Sequence, residues 1–249
     1  MTDGMTAQTV TIAGNDGDEI EAYLAHPTDE RRYGGVVVIH HMPGYDRSTK
    51  EIVRTFAVYG YNALCPNLFH RYAPGAEPGD AARSAMEAGG VPDAQCMGDL
   101  KGAADYLRAL PTSNGKVGVI GYCSGGRQAY LAACLLDFDA AVDCYGGRVV
   151  APPEDLTPAR PVAPIALTQN MNAPLLGLFG AKDGNPDPAQ VAQIEAVLQE
   201  HGKDYEFHTY PEAGHAFFSV DRAGMYNVDA AKDGWKRIWD FFGRRLAAV

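Results

Sequence analysis

Cys123 stands in Gly121-Tyr122-Cys123-Ser124-Gly125-Gly126, between the apolar run Lys116 to Gly121 and a helical pattern from Ser124 to Leu136. A sharp strand-to-helix turn holds its central residue in a strained backbone conformation. Glycines two positions before and after it remove Cβ atoms that would collide. The turn also sets that residue at a helix N-terminus, where the dipole and free N–H groups favour a thiolate, the nucleophilic form of cysteine. Two blander readings compete. One is a structural glycine-rich turn around a buried cysteine. The other is a nucleotide-binding loop, but Gly118 to Gly126 does not spell GxGxxG in register, and no acidic residue ends the next strand where ribose recognition needs one.

Two later residues tip the balance. The apolar run Ala173 to Phe179 leads into Gly180-Ala181-Lys182-Asp183-Gly184, and the run ending at Tyr210 leads into Pro211-Glu212-Ala213-Gly214-His215. Alone, Asp183 reads as a turn former beside glycine, and His215 as an ordinary loop histidine. Nucleophile, acid and histidine in that chain order, each after a strand, is the order of α/β-hydrolases. In such a set the cysteine attacks a carbonyl, the histidine shuttles the proton and the aspartate orients the histidine.

The elements that must position these residues follow from apolar periodicity. Val10, Ile12, Ile20, Ala22 and Leu24 alternate around Gly14-Asn15-Asp16-Gly17, an opening antiparallel hairpin. Gly35 to Ile39 suits a central parallel strand buried on both faces. Lys50 to Tyr59 and Asp93 to Leu110 read as helices, Asn62 to Pro66 and Ala140 to Tyr145 as strands. Pro66 to Gly90 and Arg148 to Asn172 read as surface excursions without regular structure. Asp187-Pro188 opens a helix whose apolar face is Val191, Ile194 and Leu198. Tyr205 to Tyr210 is the last strand, and a final helix carries Trp235, Ile238, Trp239, Phe242 and Leu246. Strands alternating with helices imply an α/β fold with one mostly parallel sheet, helices on both faces and an antiparallel N-terminal hairpin. No linker separates two cores, so residues 1–249 read as a single α/β-hydrolase domain, with about 1–8 a flexible tail.

Composition narrows the partners. The 249 residues include 46% hydrophobic and 21% charged side chains and carry a net charge of -10. An acidic surface argues against nucleic acid and anionic membrane. Met1 to Val10 lacks the basic and apolar regions of a signal peptide, and the uncharged stretch Pro161 to Ala181 is too interrupted to span a bilayer. Five cysteines without CxxC spacing read as reduced thiols in a cytoplasmic protein, with no metal site. A monomer or weak homodimer is expected.

At these residues the sequence resembles the dienelactone hydrolase (carboxymethylenebutenolidase) family over nearly its whole length. The most specific pieces are Gly121 to Gly126, Ser113 to Gly118, Phe179-Gly180 with Asp183, and Ala213-Gly214-His215. Val38 to Gly44 is similar to the family's oxyanion loop. The resemblance implies an α/β-hydrolase fold, a Cys123-His215-Asp183 triad, an acyl-enzyme and no cofactor. It also implies an oxyanion hole from the backbone N–H groups of Met42 and Ser124. His41 stands where the family carries a glutamate facing the cysteine. Ser219 stands where it carries a carboxylate-binding arginine, with Arg222 nearby, and Arg83 is the candidate for a second such arginine. His40, His41, Tyr145, Phe217 and Phe218 are expected on the pocket rim. A small ester or lactone is the expected substrate. Other functions compatible with the same residues are a regulatory binding protein of this fold, a thiol redox protein with Cys144 as resolving partner, and a thiol peptidase.

Overall fold

The computed structural model describes residues 4–247, which group into two compact units. The first runs to Val119 and includes Leu246; the second is Ile120–Arg245.

The first unit opens with β1 (Met5–Ala13) and β2 (Glu19–Pro27), paired antiparallel with Ile12 opposite Ile20. Residues 5–8 are therefore strand, where the sequence suggests a tail; the alternation there is weak because β1 buries little. The turn works because Asp16 (φ 55°) and Gly17 (φ 81°) adopt left-handed backbone, a role suited to Asp and Gly. Asp99, fully buried, accepts from Asn15 N–H at 2.8 Å and from both terminal nitrogens of Arg71 at 2.9 and 3.0 Å. Losing Arg71 would leave a buried unpaired charge, which costs about 3–5 kcal/mol.

Next come β3 (Tyr33–Ile39), α1 (Arg47–Val58) and β4 (Asn62–Pro66), with β3 and β4 parallel and almost wholly buried. Asp46 caps α1 by accepting from Thr49 N–H at 2.8 Å. The stretch read as an excursion contains a helix, α2 (Pro78–Glu87), with Pro78 in its first turn and Ala81, Ala82 and Ala85 buried. Its flanking Pro, Gly and charge hide an alanine face that only tertiary packing makes apolar. Then α3 (Asp93–Ala109) stops at Leu110, which is extended because Pro111 follows it. Strand order in this unit is β1-β2-β4-β3-β5, where β5 is Ser113–Tyr122.

β5 continues into the second unit, ordered β5-β6-β7-β8, with β6 (Ala140–Cys144), β7 (Leu175–Gly180) and β8 (Tyr205–Tyr210) parallel. Its helices are α4 (Ser124–Leu135), α5 (Pro188–Glu200) and α6 (Val228–Leu246). α5 begins with a capping box in which Asp187 accepts from Gln190 N–H at 2.8 Å and Gln190 accepts from Asp187 N–H at 3.2 Å. It buries Val191, Ile194 and Leu198 as the periodicity predicts. Residues 148–172 hold two short 3₁₀ helices, Pro153–Asp155 and Pro164–Asn170. Among the described residues no helix is long and apolar enough to cross a membrane.

Candidate active site

The second unit brings Cys123, Asp183 and His215 together. Cys123 lies between β5 and α4 with φ 56° and ψ -118°, a conformation non-glycine residues rarely adopt. Two glycines make it attainable. A Cβ on Gly121 would fall 1.8 Å from Gly125 O, and one on Gly126 would fall 2.4 Å from Asp143 Oδ1. The sequence pattern pairs the glycines two before and two after the cysteine; the packing shows why Gly126, three after, is needed. Cys123 N–H donates to Cys144 O at 3.0 Å, and Cys123 O accepts from Gly126 N–H at 3.0 Å, which starts α4. The Ser124 N–H is in the first turn, where helical N–H groups have no intrahelical acceptor.

Cys123 is partly exposed, whereas Cys65, Cys96, Cys134 and Cys144 are buried. Burial pushes the Cys134 thiol up to about 12, and the Cys65 and Cys144 thiols also move upward through burial. A thiol held neutral in this way is a poor nucleophile.

The acid and the histidine sit on adjoining loops. Ala181 N–H donates to Tyr210 O and Lys182 N–H to Ala213 O, both at 2.9 Å. A Cβ on Gly180 would lie 2.5 Å from Ala213 O, so glycine lets the two loops press together. Asp183 accepts from Asn185 N–H at 2.9 Å through Oδ1 and from His215 Nδ1 at 2.7 Å through Oδ2. Its side chain is only 3% exposed. Burial works against the imidazolium, but hydrogen bonds to Asp183 and to the Cys123 side chain outweigh it, and His215 is raised to about 10.

Aromatic rings back the histidine. Tyr145, with φ 45°, packs edge-on at 5.2 Å from the His215 ring and 5.0 Å from Phe217; Phe218 lies 6.2 Å away. Tyr145 is 1% exposed and its hydroxyl is bonded to the Ser219 side chain. Phe217 and Phe218 are buried too. Tyr145 thus packs on His215, and Phe217 and Phe218 pack on Tyr145, all three of them buried. Arg222 lies in a turn where its carbonyl accepts from Met225 and Tyr226 N–H groups.

The remaining expected residues belong to the first unit. His40 is buried there. His41 Nε2 lies 3.2 Å from Asp46 Oδ2, at ion-pair distance but not aligned for a hydrogen bond. Met42 packs against Phe69 and the buried alanines of α2. Arg83 is a solvent-facing side chain, 67% exposed and paired with Asp80 at 2.9 Å. That placement makes it a surface ion pair of small energetic weight.

The model of the dienelactone hydrolase family matches residues 20–246. This chain belongs to the dienelactone hydrolase family. A Methylorubrum extorquens protein named "Putative carboxymethylenebutenolidase" is 33% identical over 96% of this chain and 81% of its own length. A Synechocystis protein of the same name is 31% identical over 99% of this chain and 100% of its own. Among solved structures, one titled as a dienelactone hydrolase of the same provisional kind, from Klebsiella pneumoniae, superposes with a TM-score of 0.87 at 29% identity, covering 97% of this chain and 99% of that one. The fold is the α/β-hydrolase fold, and this family member is a hydrolase.

Proposed function

We propose that this dienelactone hydrolase family member cleaves small esters or lactones through a Cys123-His215-Asp183 triad and an acyl-enzyme. The observation that carries the reading is His215, hydrogen-bonded on one side to Asp183 and on the other to the Cys123 side chain. In this mechanism Cys123 Sγ attacks the acyl carbonyl and the oxyanion forms at the Ser124 N–H. The tetrahedral intermediate collapses to a thioester as His215 passes its proton to the leaving alkoxide oxygen. For a lactone that oxygen stays tethered to the acyl group. Water, deprotonated by His215, then attacks the thioester, and the carboxylic acid leaves with Cys123 restored. Asp183 stabilises the imidazolium and fixes the ring with Nδ1 toward itself. Acyl-thioester formation needs no cofactor.

The test is hydrolysis of p-nitrophenyl acetate, following nitrophenolate release before and after iodoacetamide, beside Cys123→Ala. The expected result is an initial burst equal to the enzyme concentration, abolished by alkylation and by the substitution. Full turnover by Cys123→Ala would overturn the cysteine as nucleophile.

A further inference from the structure

Asp143 is a buried carboxylic acid that the hydrolytic steps above do not use. It stands on β6 one residue before Cys144, whose carbonyl holds Cys123 N–H at 3.0 Å. Its Oδ1 accepts from Gly146 N–H at 2.7 Å, and its Oδ2 has no partner. The same Oδ1 lies 2.4 Å from where a Cβ on Gly126 would stand and 2.4 Å from where one on Gly146 would stand. Gly126 belongs to the first turn of α4, three residues after Cys123. Gly146 follows Tyr145, whose ring packs on His215. The carboxyl thus fills the space between the turn that presents the nucleophile and the turn that backs the base, and both turns carry glycine where they meet it.

A turn-forming aspartate accounts for the bond to Gly146 but not for the burial. An exposed Asx turn needs no desolvated acid. We infer that Asp143 is a positioning residue: its carboxyl wedges the first turn of α4 against the Tyr145–Gly146 turn and so sets where Cys123 Sγ stands relative to His215. This inference rests on the triad reading, because it assigns Asp143 a role through Cys123.

The titratable neighbours are few. Cys144 lies beside it on β6 and Tyr130 faces it from α4, both shifted upward by burial and so neutral near pH 7. Arg127 on α4 turns its guanidinium to Val162 O at 3.4 Å. The turn after β6 adds Tyr145, β5 adds Tyr122, both also raised by burial, and β7 carries no titratable side chain. Burial raises Asp143 itself to about 7, against the smaller opposite pull of the Gly146 bond. The wedge is therefore neutral in mild acid and gains a charge in mild alkali.

The experiment measures the rate of Cys123 alkylation by iodoacetamide, which needs no substrate, beside kcat and KM for p-nitrophenyl acetate, from pH 5.5 to 9. Asp143→Asn keeps the Oδ1 acceptor and the shape without the ionisation. Asp143→Ala removes both. Asp143→Ala is expected to lower kcat at least 20-fold with KM within threefold, and to slow alkylation at least fivefold. Asp143→Asn is expected to stay within threefold of wild type at pH 6 and to lose an inflection near pH 7 in the wild-type alkylation profile. Alkylation and kcat unchanged in Asp143→Ala would overturn the inference. Should that variant fail to fold, Asp143→Ser, which is too short to fill the space between Gly126 and Gly146 but keeps a polar atom on β6, takes its place, and alkylation and kcat unchanged in Asp143→Ser would overturn the inference as well. The triad reading fails separately, by turnover in Cys123→Ala, without touching the alkylation arm.

Discussion

His40 and His215 are the same side chain in opposite circumstances. His40 is 3% exposed and lies among His41 O, the Leu68 N–H and the rings of Phe69 and Tyr45. Its Nδ1 faces a carbonyl at 3.0 Å and its Nε2 faces an N–H at 3.3 Å. Only the neutral ring with its proton on Nδ1 satisfies both, since a second proton would point at another donor. Burial therefore lowers it to about 4. His215 is also desolvated, yet a carboxylate at 2.7 Å and the Cys123 side chain raise it to about 10. Burial alone does not decide a histidine's charge; the sign of the partner does. One ring is fixed as a neutral strut, and the other is held ready to carry a proton.

The largest effect expected from breaking this contrast is at Asp183. Asp183→Asn removes the charge that holds the imidazolium and misorients the ring. It should cut kcat by about 10³–10⁴ while bringing the His215 titration, followed by ¹H–¹⁵N NMR, down toward that of an ordinary histidine. A titration unmoved from wild type would refute Asp183 as the group that raises His215. His40→Ala should cost stability and not chemistry: about 2–4 kcal/mol in urea unfolding, with kcat for p-nitrophenyl acetate within threefold in the folded fraction.

A smaller pair of effects lies in the pH dependence of stability, and the two histidines act in opposite windows. His215 has its folded value raised from 6.5 to about 10, so its contribution is full below 6.5 and is lost as pH climbs to 10. His40 has its folded value lowered to about 4, so its contribution is full above 6.5 and is lost as pH falls to 4. Unfolding curves of wild type and Asp183→Asn should converge above pH 10, and those of wild type and His40→Ala should approach each other toward pH 4. Divergence in either window would reverse the assignment. The smallest effect is at Arg83. Arg83→Ala should change kcat/KM less than twofold for neutral and anionic esters alike, and a loss of tenfold on anionic esters alone would return this arginine to the site.

Much of the site is legible from residues alone. Gly121 to Gly126, Asp183 and His215 mark a strand-turn-helix cysteine followed by an acid and a histidine, each after a strand, because only a few residue types tolerate such turns. The helix start at Asp187-Pro188 and the strand Tyr205–Tyr210 are equally local, set by capping chemistry and alternation. The helix Pro78–Glu87 is not legible, since its buried face is alanine and its flanks look like loop. Tyr145 and Phe218 look the same in sequence whether they are exposed at a pocket mouth or buried against each other's rings.

The sequence by itself determined the order of the chemistry-bearing residues and the turn that lifts Cys123, because local sterics around glycine and the strand-helix alternation act over a few residues. Only the tertiary structure decided the charges. Whether a histidine is held neutral or held charged, whether Arg83 pairs with Asp80 at the surface, and that Asp143 is a buried acid beside the Cys123 turn all depend on which groups arrive within about 3 Å, hydrogen-bond range, and how much water they exclude.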